Sequence, residues 1–457
     1  MKLFKPSSFK TILLIILLPF LVLATKITLD LRKGAASRPA RIVVDTTSFM
    51  GQVPSKLWQN LAQGGEEPTD MIRPAIFLTR SLQPQLIRID HLFDYYNVYI
   101  GPDSYDFSKL DSVVNSILLT GARPMLSLSY TTPQMTTNNQ NAGEPSDWNQ
   151  WYQLVKATAH HYSVDKKIDG IYYEVWNEPD LFGGWKYNKS PSYLTLYTKT
   201  AQAVVDGAPN GNYKIGGPAI TAFYSNWIKA LIKSASQNGL RLDFISWHNY
   251  SKDTSKYLRD IDNLNNILSD YPKYMSVEKI ITEVGPNSEP DVWYDNKMSG
   301  IHLISLSTQL AGLVHRLFSF EIIDGPAPRS SASTGWGMIT HSSNKLTPKP
   351  RYDAIKFLNR LTGTRLTSSG DGSFVTALAS RNNQTIQVLM VNYDPSNIHV
   401  ETVPLTFLNM TPGKYTLTTT SYLGSTSHKN ISIPTFRYSE DIYLEPNTAV
   451  LLELSPI

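Results

Sequence analysis

Between Pro54 and Gly363 the chain alternates short apolar runs with longer amphipathic ones, and this alternation restricts its possible folds more than any other feature. Short runs bounded by Gly, Pro, Asn or Asp read as strands, whereas apolar positions three and four apart read as helices. Eight strand-like runs stand out: Lys56–Ala62, Leu86–Asp90, Pro124–Ser129, Gly170–Trp176, Lys214–Gly217, Phe244–His248, Lys279–Thr282 and Leu317–Glu321. After the second, Leu110, Val113, Val114, Ile117 and Leu118 form one helical stripe closed by Gly121. A further stripe of Trp148, Trp151, Tyr152 and Val155 follows the N-cap candidate Ser146. Strand–helix alternation favours parallel pairing, because parallel neighbours need a crossover connection. The expectation is an α/β fold, a (β/α)8 TIM barrel over residues 41–363. No GxGxxG or Walker pattern follows the first strand, which argues against a nucleotide-binding sheet.

Beyond Gly363 the pattern changes to short alternating strands, Phe374–Ala379, Ile386–Val391, Tyr415–Thr420 and Val450–Leu454, with turn residues between them. Residues 364–457 therefore read as a small C-terminal β-sandwich domain, an accessory expected to support packing rather than bind sugar. The β-rich run Arg41–Asp45 is expected to pair into it and staple the two domains together. The polar loop Thr131–Pro145 follows the third strand, which places it on the face where barrels carry their sites, as a substrate rim.

Residues 1–40 read as a signal peptide or N-terminal membrane anchor with a tether. Lys2, Lys5 and Lys10 precede an apolar run from Ile12 to Ala24 that fits a cleaved export signal and an uncleaved anchor equally. Either way the working part is expected outside the cytoplasm, secreted or tethered to the outer face of the membrane. The chain has no cysteine, which excludes disulfides, thiolate metal sites and thiol nucleophiles. A net charge of +4 without a long basic run beyond the N-terminus argues against nucleic acid. No HxxxH or His-rich cluster points to a catalytic metal, and nothing indicates a cofactor or an obligate protein partner.

Two glutamates concentrate the chemistry. Glu178 and Glu283 each follow a strand-like run, the fourth and the seventh, and they are 105 residues apart. Strand ends on the C-terminal face of a barrel project into one cleft, and paired carboxylates there are the equipment of glycoside hydrolysis. One carboxyl protonates the leaving oxygen while the other acts at the anomeric carbon. Glu174 alternates onto the same face as Trp176 and Glu178, so it points into the barrel and needs a partner, for which Arg88 is the candidate. Arg88 is equally a candidate to hold Glu283 ionised, since a nearby cation lowers a carboxylate's pKa. Trp185, Trp247 and Trp336 are candidate sugar platforms, in a chain with 25 Tyr and 9 Trp.

The run Trp176-Asn177-Glu178-Pro179 resembles the acid/base signature of the large clan of retaining (β/α)8 glycosidases. More narrowly, Asp243-Phe244-Ile245-Ser246-Trp247-His248-Asn249-Tyr250, Arg123–Ser129 and Thr347–Ala354 are similar to segments of glycoside hydrolase family 39, which includes β-xylosidases, α-L-iduronidases and exopolysaccharide hydrolases. The resemblance runs from about Trp58 to Leu361. It implies that Glu178 is the acid/base and Glu283 the nucleophile. It further implies that Asn177 holds the sugar 2-hydroxyl, that His248 and Tyr250 reach the cleft, and that Tyr250 hydrogen-bonds the nucleophile. On strand two the family shows Arg-x-His, whereas this chain has Arg88-Ile89-Asp90 and only then His91. Asp90 thus stands where an imidazole is expected at the sugar subsite, and substrate identity does not carry over. The expected activity is retaining hydrolysis of an oligo- or polysaccharide through a covalent glycosyl-enzyme. A silent carbohydrate-binding scaffold and a transglycosylase are the alternatives.

Overall fold

The computed structural model describes residues 38–137, 139–326, 335–343 and 345–457, so the export or anchor segment lies outside the described residues up to residue 37. Among the described residues no helix is long and apolar enough to cross a membrane.

In chain order the strands of the first part are β1 (Ile42–Gln52), β2 (Asn60–Gln63), β3 (Leu86–Ile89), the hairpin β4 (Tyr99–Gly101) and β5 (Ser104–Tyr105), β6 (Arg123–Leu128), β7 (Ile171–Val175), β8 (Tyr213–Ile220), β9 (Phe244–Tyr250), β10 (Glu278–Gly285) and β11 (Arg316–Phe320). The helices are α1 (Ile76–Ser81), α2 (Ser108–Leu119), α3 (Trp148–His160), α4 (Tyr193–Gly207), α5 (Ser225–Asn238), α6 (Ser255–Ser269), α7 (Lys297–Leu310) and α8 (Pro350–Leu358). Strands β2, β3 and β6 to β11 pair in parallel and close on themselves, each followed by one helix, which makes the expected (β/α)8 barrel. All eight expected runs form barrel strands, but the first starts late. Ser55–Leu57 turns as a 3-10 helix, and the Asn60 amide donates to the carbonyls of Lys56 (2.7 Å) and Leu57 (3.3 Å), holding that turn.

Side chains inside the barrel alternate along each strand and stack in layers. One layer is apolar: Ala62, Leu86, Met125, Tyr172, Phe244, Ile280 and Phe318. The remaining strand contributes Gly216, where a Cβ would lie 2.2 Å from the Phe244 carbonyl oxygen, so only glycine lets the layer close. Two residues further along the strands the interior turns polar, with Arg88, Ser127, Glu174 and Ser246 all buried, and buried His248 follows two positions beyond Ser246. That polar layer is the floor of the cleft.

The rest of the chain adds β12 (Thr364–Ser369), β13 (Val375–Asn382), β14 (Thr385–Asn392), β15 (Glu401–Leu408), β16 (Gly413–Ser421), β17 (Thr426–Ile433), β18 (Arg437–Leu444) and β19 (Thr448–Pro456). These join β1 in a nine-stranded sheet, ordered β17-β16-β19-β14-β13-β12-β1-β15-β18. It wraps a separate apolar core that includes Ile42, Val44, Val388, Leu405 and Leu452, in the manner of a sandwich. The N-terminal strand β1 pairs antiparallel with β12 and parallel with β15, so the chain enters the barrel from the second domain and later returns to it. Helix α7 lies between the barrel and this sheet, against β13, β14 and β19, and is buried on all sides. A helix apolar around most of its circumference needs such double cover. Within it, Gly300 leaves room for Tyr422, whose hydroxyl donates to the Pro350 carbonyl; a Cβ would come within 2.0 Å of that hydroxyl.

Candidate active site

Adjacent residues of a regular strand face opposite ways, so Asn177 and Glu178 need a break in β7 to serve one cleft. The break follows Val175: Trp176 (φ 71°) and Glu178 (φ 46°) both take the left-handed conformation that non-glycine residues rarely adopt. Packing holds it in place. The Trp176 indole is fully buried against Tyr130, Trp151 and Trp185, and its Nε1 donates to the Phe182 carbonyl (3.0 Å). Ser127 Oγ donates to the Trp176 carbonyl (2.7 Å), and the Glu178 N–H donates to that of Ala219 (2.9 Å).

Glu283 is aimed by a different device. Ile280 belongs to the interior layer, so strict alternation would turn Glu283 outward. The pairing of β10 slips between Ile281 and Glu283 against β9, and between Ile281 and Val284 against β11. Such a bulge re-aims the side chains beyond it. The Glu283 carboxylate consequently meets the polar layer.

Arg88 organises that layer with three of its nitrogens: Nε donates to Glu174 Oε2 (2.6 Å), Nη1 to Glu283 Oε1 (2.9 Å) and Nη2 to Asn177 Oδ1 (2.7 Å). The two roles considered for Arg88 are thus filled at once. Tyr250 Oη donates to Glu283 Oε2 (2.6 Å), while Asn177 Nδ2 donates to Tyr130 Oη (2.8 Å). His248 stands between the two glutamates, its Nδ1 2.8 Å from Glu178 Oε1 and 3.4 Å from Glu283 Oε2. Its Nε2 is buried without a partner, which favours the tautomer with the proton on Nδ1.

Electrostatics follow from that crowding. Burial pushes the Glu283 carboxyl up, and His248 and then Arg88 pull it back, leaving it raised. Burial opposes charge on His248, but Glu283 and Glu178 outweigh this and raise it. Burial likewise opposes charge on Arg88, and Glu174 and Glu283 more than offset it. Burial and the Glu283 charge hold Tyr250 well above the usual phenol range, so it stays a donor.

Among the described residues, Glu178, His248 and Glu283 also have the spacing of a metal site, with one donor atom from each lying within 4.8 Å of the others. The Arg88 guanidinium on Glu283 already supplies positive charge there. The donor set therefore fits a carboxylate pair tuned by Arg and His better than a metal cage.

Asp90 follows on the interior face of β3, is 6% exposed and has an Oδ1 without a hydrogen-bond partner. Trp336 is 8% exposed at the rim, its Nε1 donating to the Ser288 carbonyl (3.2 Å) and its ring edge-on to Phe320. Trp185 and Trp247 are fully buried, so neither offers a sugar a face, contrary to expectation. Their rings pack against Trp148 and Trp176, and against Phe223, respectively. Tyr130 was not among the expected site residues although it fixes the Asn177 amide. It stands immediately beyond the Arg123–Ser129 segment, in a sequence context that gives no sign of that contact.

Residues 81–308 match the sequence model of Glycosyl hydrolases family 39. A β-xylosidase of Geobacillus stearothermophilus is 24% identical over 300 residues, 58% of each chain, and one of Caldicellulosiruptor saccharolyticus is 24% identical over 322 residues, 64% of each. The chain thus aligns with less than two thirds of either relative's length. Among solved structures, a monomeric β-xylosidase from Caulobacter crescentus superposes with a TM-score of 0.75 at 21% identity, covering 92% of this chain and 100% of that one. A family 39 enzyme from Xanthomonas axonopodis pv. citri gives 0.72 at 20% identity, covering 92% and 98%. These likenesses establish the fold around the site. By matched sequence and by architecture, the chain is a glycoside hydrolase family 39-like protein.

Proposed function

We propose that this protein is a retaining glycoside hydrolase that acts outside the cytoplasm on an oligosaccharide or polysaccharide. One observation carries the reading: a carboxylate oxygen of Glu178 and one of Glu283 lie within 4.8 Å of each other across His248. Retaining enzymes hold their two carboxyl groups about 5–5.5 Å apart, whereas inverting enzymes leave about 6.5–9.5 Å for a water. Glu283 is the better held of the two, by Arg88 and Tyr250, as befits an ionised nucleophile. Glu178 is the more exposed, 15% against 8% at the side chain, which suits a group that must meet first a leaving group and then water.

In the first step a Glu283 oxygen attacks the anomeric carbon while Glu178 gives its proton to the departing oxygen. The charge of Glu283 is lost in the ester, and its hold on His248 relaxes. In the second step Glu178, now ionised, takes a proton from water as that water attacks the same carbon and Glu283 leaves. Asn177, fixed by Arg88 and Tyr130, is placed to bond the sugar 2-hydroxyl, a contact that tightens in the transition state. His248, Tyr250, Asp90 and Trp336 complete the glycone surroundings in this reading. The location rests on the charged and apolar N-terminal run.

The test is the configuration of the first-formed sugar, followed by proton NMR during turnover of a glycoside. Retention is expected. Inversion would exclude double displacement.

A further inference from the structure

Asp90 has no role in the two steps above, yet it is the buried carboxylate of the cleft whose setting most needs a ligand. It follows Arg88 by two positions on the same strand course, so alternation turns it to the same interior face. Its Oδ1 is buried and accepts no hydrogen bond. Buried acceptors are nearly always satisfied, and one left open at a site calls for a donor that arrives with a ligand. Burial raises its pKa, opposed chiefly by His91 and Arg88, while Asp94 and Glu178 add to the rise.

Among the described residues, the cations around the cleft already have carboxylate or carbonyl partners. Arg88 binds Glu174, Glu283 and Asn177. His91 Nδ1 pairs with Asp94 Oδ2 at 2.8 Å. Lys349 pairs with Asp295 and Asp324, both at 2.9 Å, and Arg351 donates to the carbonyls of Val284, Phe320 and Trp336. The Glu178 charge is felt at Asp90, so a sugar held beside Glu178 comes near this carboxylate, and an acidic sugar would meet a further negative charge there.

We propose that Asp90 accepts hydrogen bonds from hydroxyls of the glycone, so that the cleft selects a neutral sugar and rejects a uronic acid. This rests on the retaining-glycosidase reading of the same site. A hydroxyl gains a charge-assisted bond to the carboxylate, while a uronate gains repulsion from it. An ionised carboxylate accepts hydrogen bonds and donates none, so it matches the donor side of a sugar hydroxyl.

The experiment compares kcat/KM of wild type and Asp90→Asn on the 4-nitrophenyl α- and β-glycosides of xylose, glucose and glucuronic acid. Wild type should favour a neutral glycoside over the glucuronides by more than about 100-fold, and Asp90→Asn should lose roughly 10- to 100-fold on the neutral one. The neutral-to-acidic ratio should narrow at least about tenfold in the variant. A wild-type preference for a glucuronide overturns the proposal, as does a variant with unchanged kcat/KM and ratio. Should Asp90→Asn not fold, as read by its melting curve, the wild-type preference alone decides. Should wild type turn over none of the six, calorimetric binding of xylose, glucose and glucuronate decides about Asp90 instead. Neutral-sugar binding weakened by Asp90→Asn supports the assignment, and binding equal in both chains, or tighter for glucuronate, overturns it.

Discussion

The mouth of the barrel and the nine-stranded sheet are both built on period-two strands over an apolar layer, but they treat polar groups in opposite ways. In the sheet the core-facing positions are aliphatic, such as Val388, Leu405 and Leu452, and several buried polar side chains fasten loops. The Asn447 amide accepts from the Asp394 N–H and donates to the Asp394 carbonyl and to Asn397 Oδ1, and the Asp394 carboxylate receives the N–H groups of Ser396, Ile398 and His399. At the barrel mouth the next interior layer holds Arg88, Glu174, His248 and Glu283, and leaves Glu174 Oε1, His248 Nε2 and Asp90 Oδ1 without partners. Two left-handed residues and a bulge in β10 shape the same small region. Burying charges in this way is no route to stability, because desolvation roughly cancels the attraction between them. The contrast locates function: one sheet is arranged for packing, whereas the other accepts a stability cost to hold charges in a fixed arrangement.

The comparison can be broken from either side. The largest effect is expected for Glu283→Gln, which should lower kcat on an aryl glycoside by at least about a thousandfold, some 4 kcal/mol of barrier. Its melting temperature should hold or rise, since a buried carboxylate is removed; an unstable but active variant would make Glu283 structural. Arg88→Met comes next. It leaves Glu174 and Glu283 buried without their cation, and urea unfolding should show a loss of about 3–5 kcal/mol. A loss below about 1 kcal/mol would mean that water reaches this layer and that the arrangement is not dry.

In the sheet, Leu452→Ala should cost about 2–5 kcal/mol through the cavity it opens. The kcat/KM of the folded fraction should stay within about twofold, because the side chain lies in a core separate from the cleft. A large change in kcat/KM with little change in stability would show that the sheet shapes the site through α7. The smallest effect belongs to Tyr250→Phe. Its hydroxyl favours the ionised form of Glu283, so removing it raises that carboxyl further. Because the nucleophile must be ionised, the acidic limb of the kcat/KM profile should move to higher pH, with about a tenfold loss below it. A shift to lower pH would contradict the hydrogen bond.

Much of this arrangement is legible in the sequence, for identifiable reasons. The eight barrel strands are short apolar runs between turn residues, and period alone marks them. Glu178 is marked by its neighbours, since Trp176, Asn177 and Pro179 rarely stand together around an ordinary surface carboxylate. Other features depend on contacts distant in sequence. Glu283 faces the cleft only because β10 slips against both its neighbours, which nothing in Lys279–Glu283 announces. Trp185 and Trp247 are buried by ring contacts with Trp148 and Trp176 and with Phe223, which their own sequence surroundings do not announce. The delayed start of β2 comes from a side-chain bond of Asn60 to its own preceding turn, which competes with the ladder.

The central claim is that Glu283 becomes covalently bound to sugar. The direct measurement is peptide mass mapping after incubation with a 2-deoxy-2-fluoro glycoside carrying a good leaving group, made on the sugar the enzyme turns over. The account predicts one glycosyl adduct per chain, on the peptide that carries Glu283, with turnover lost in proportion. An adduct on the peptide of Glu178, or full inactivation with Glu283 unmodified, would contradict it.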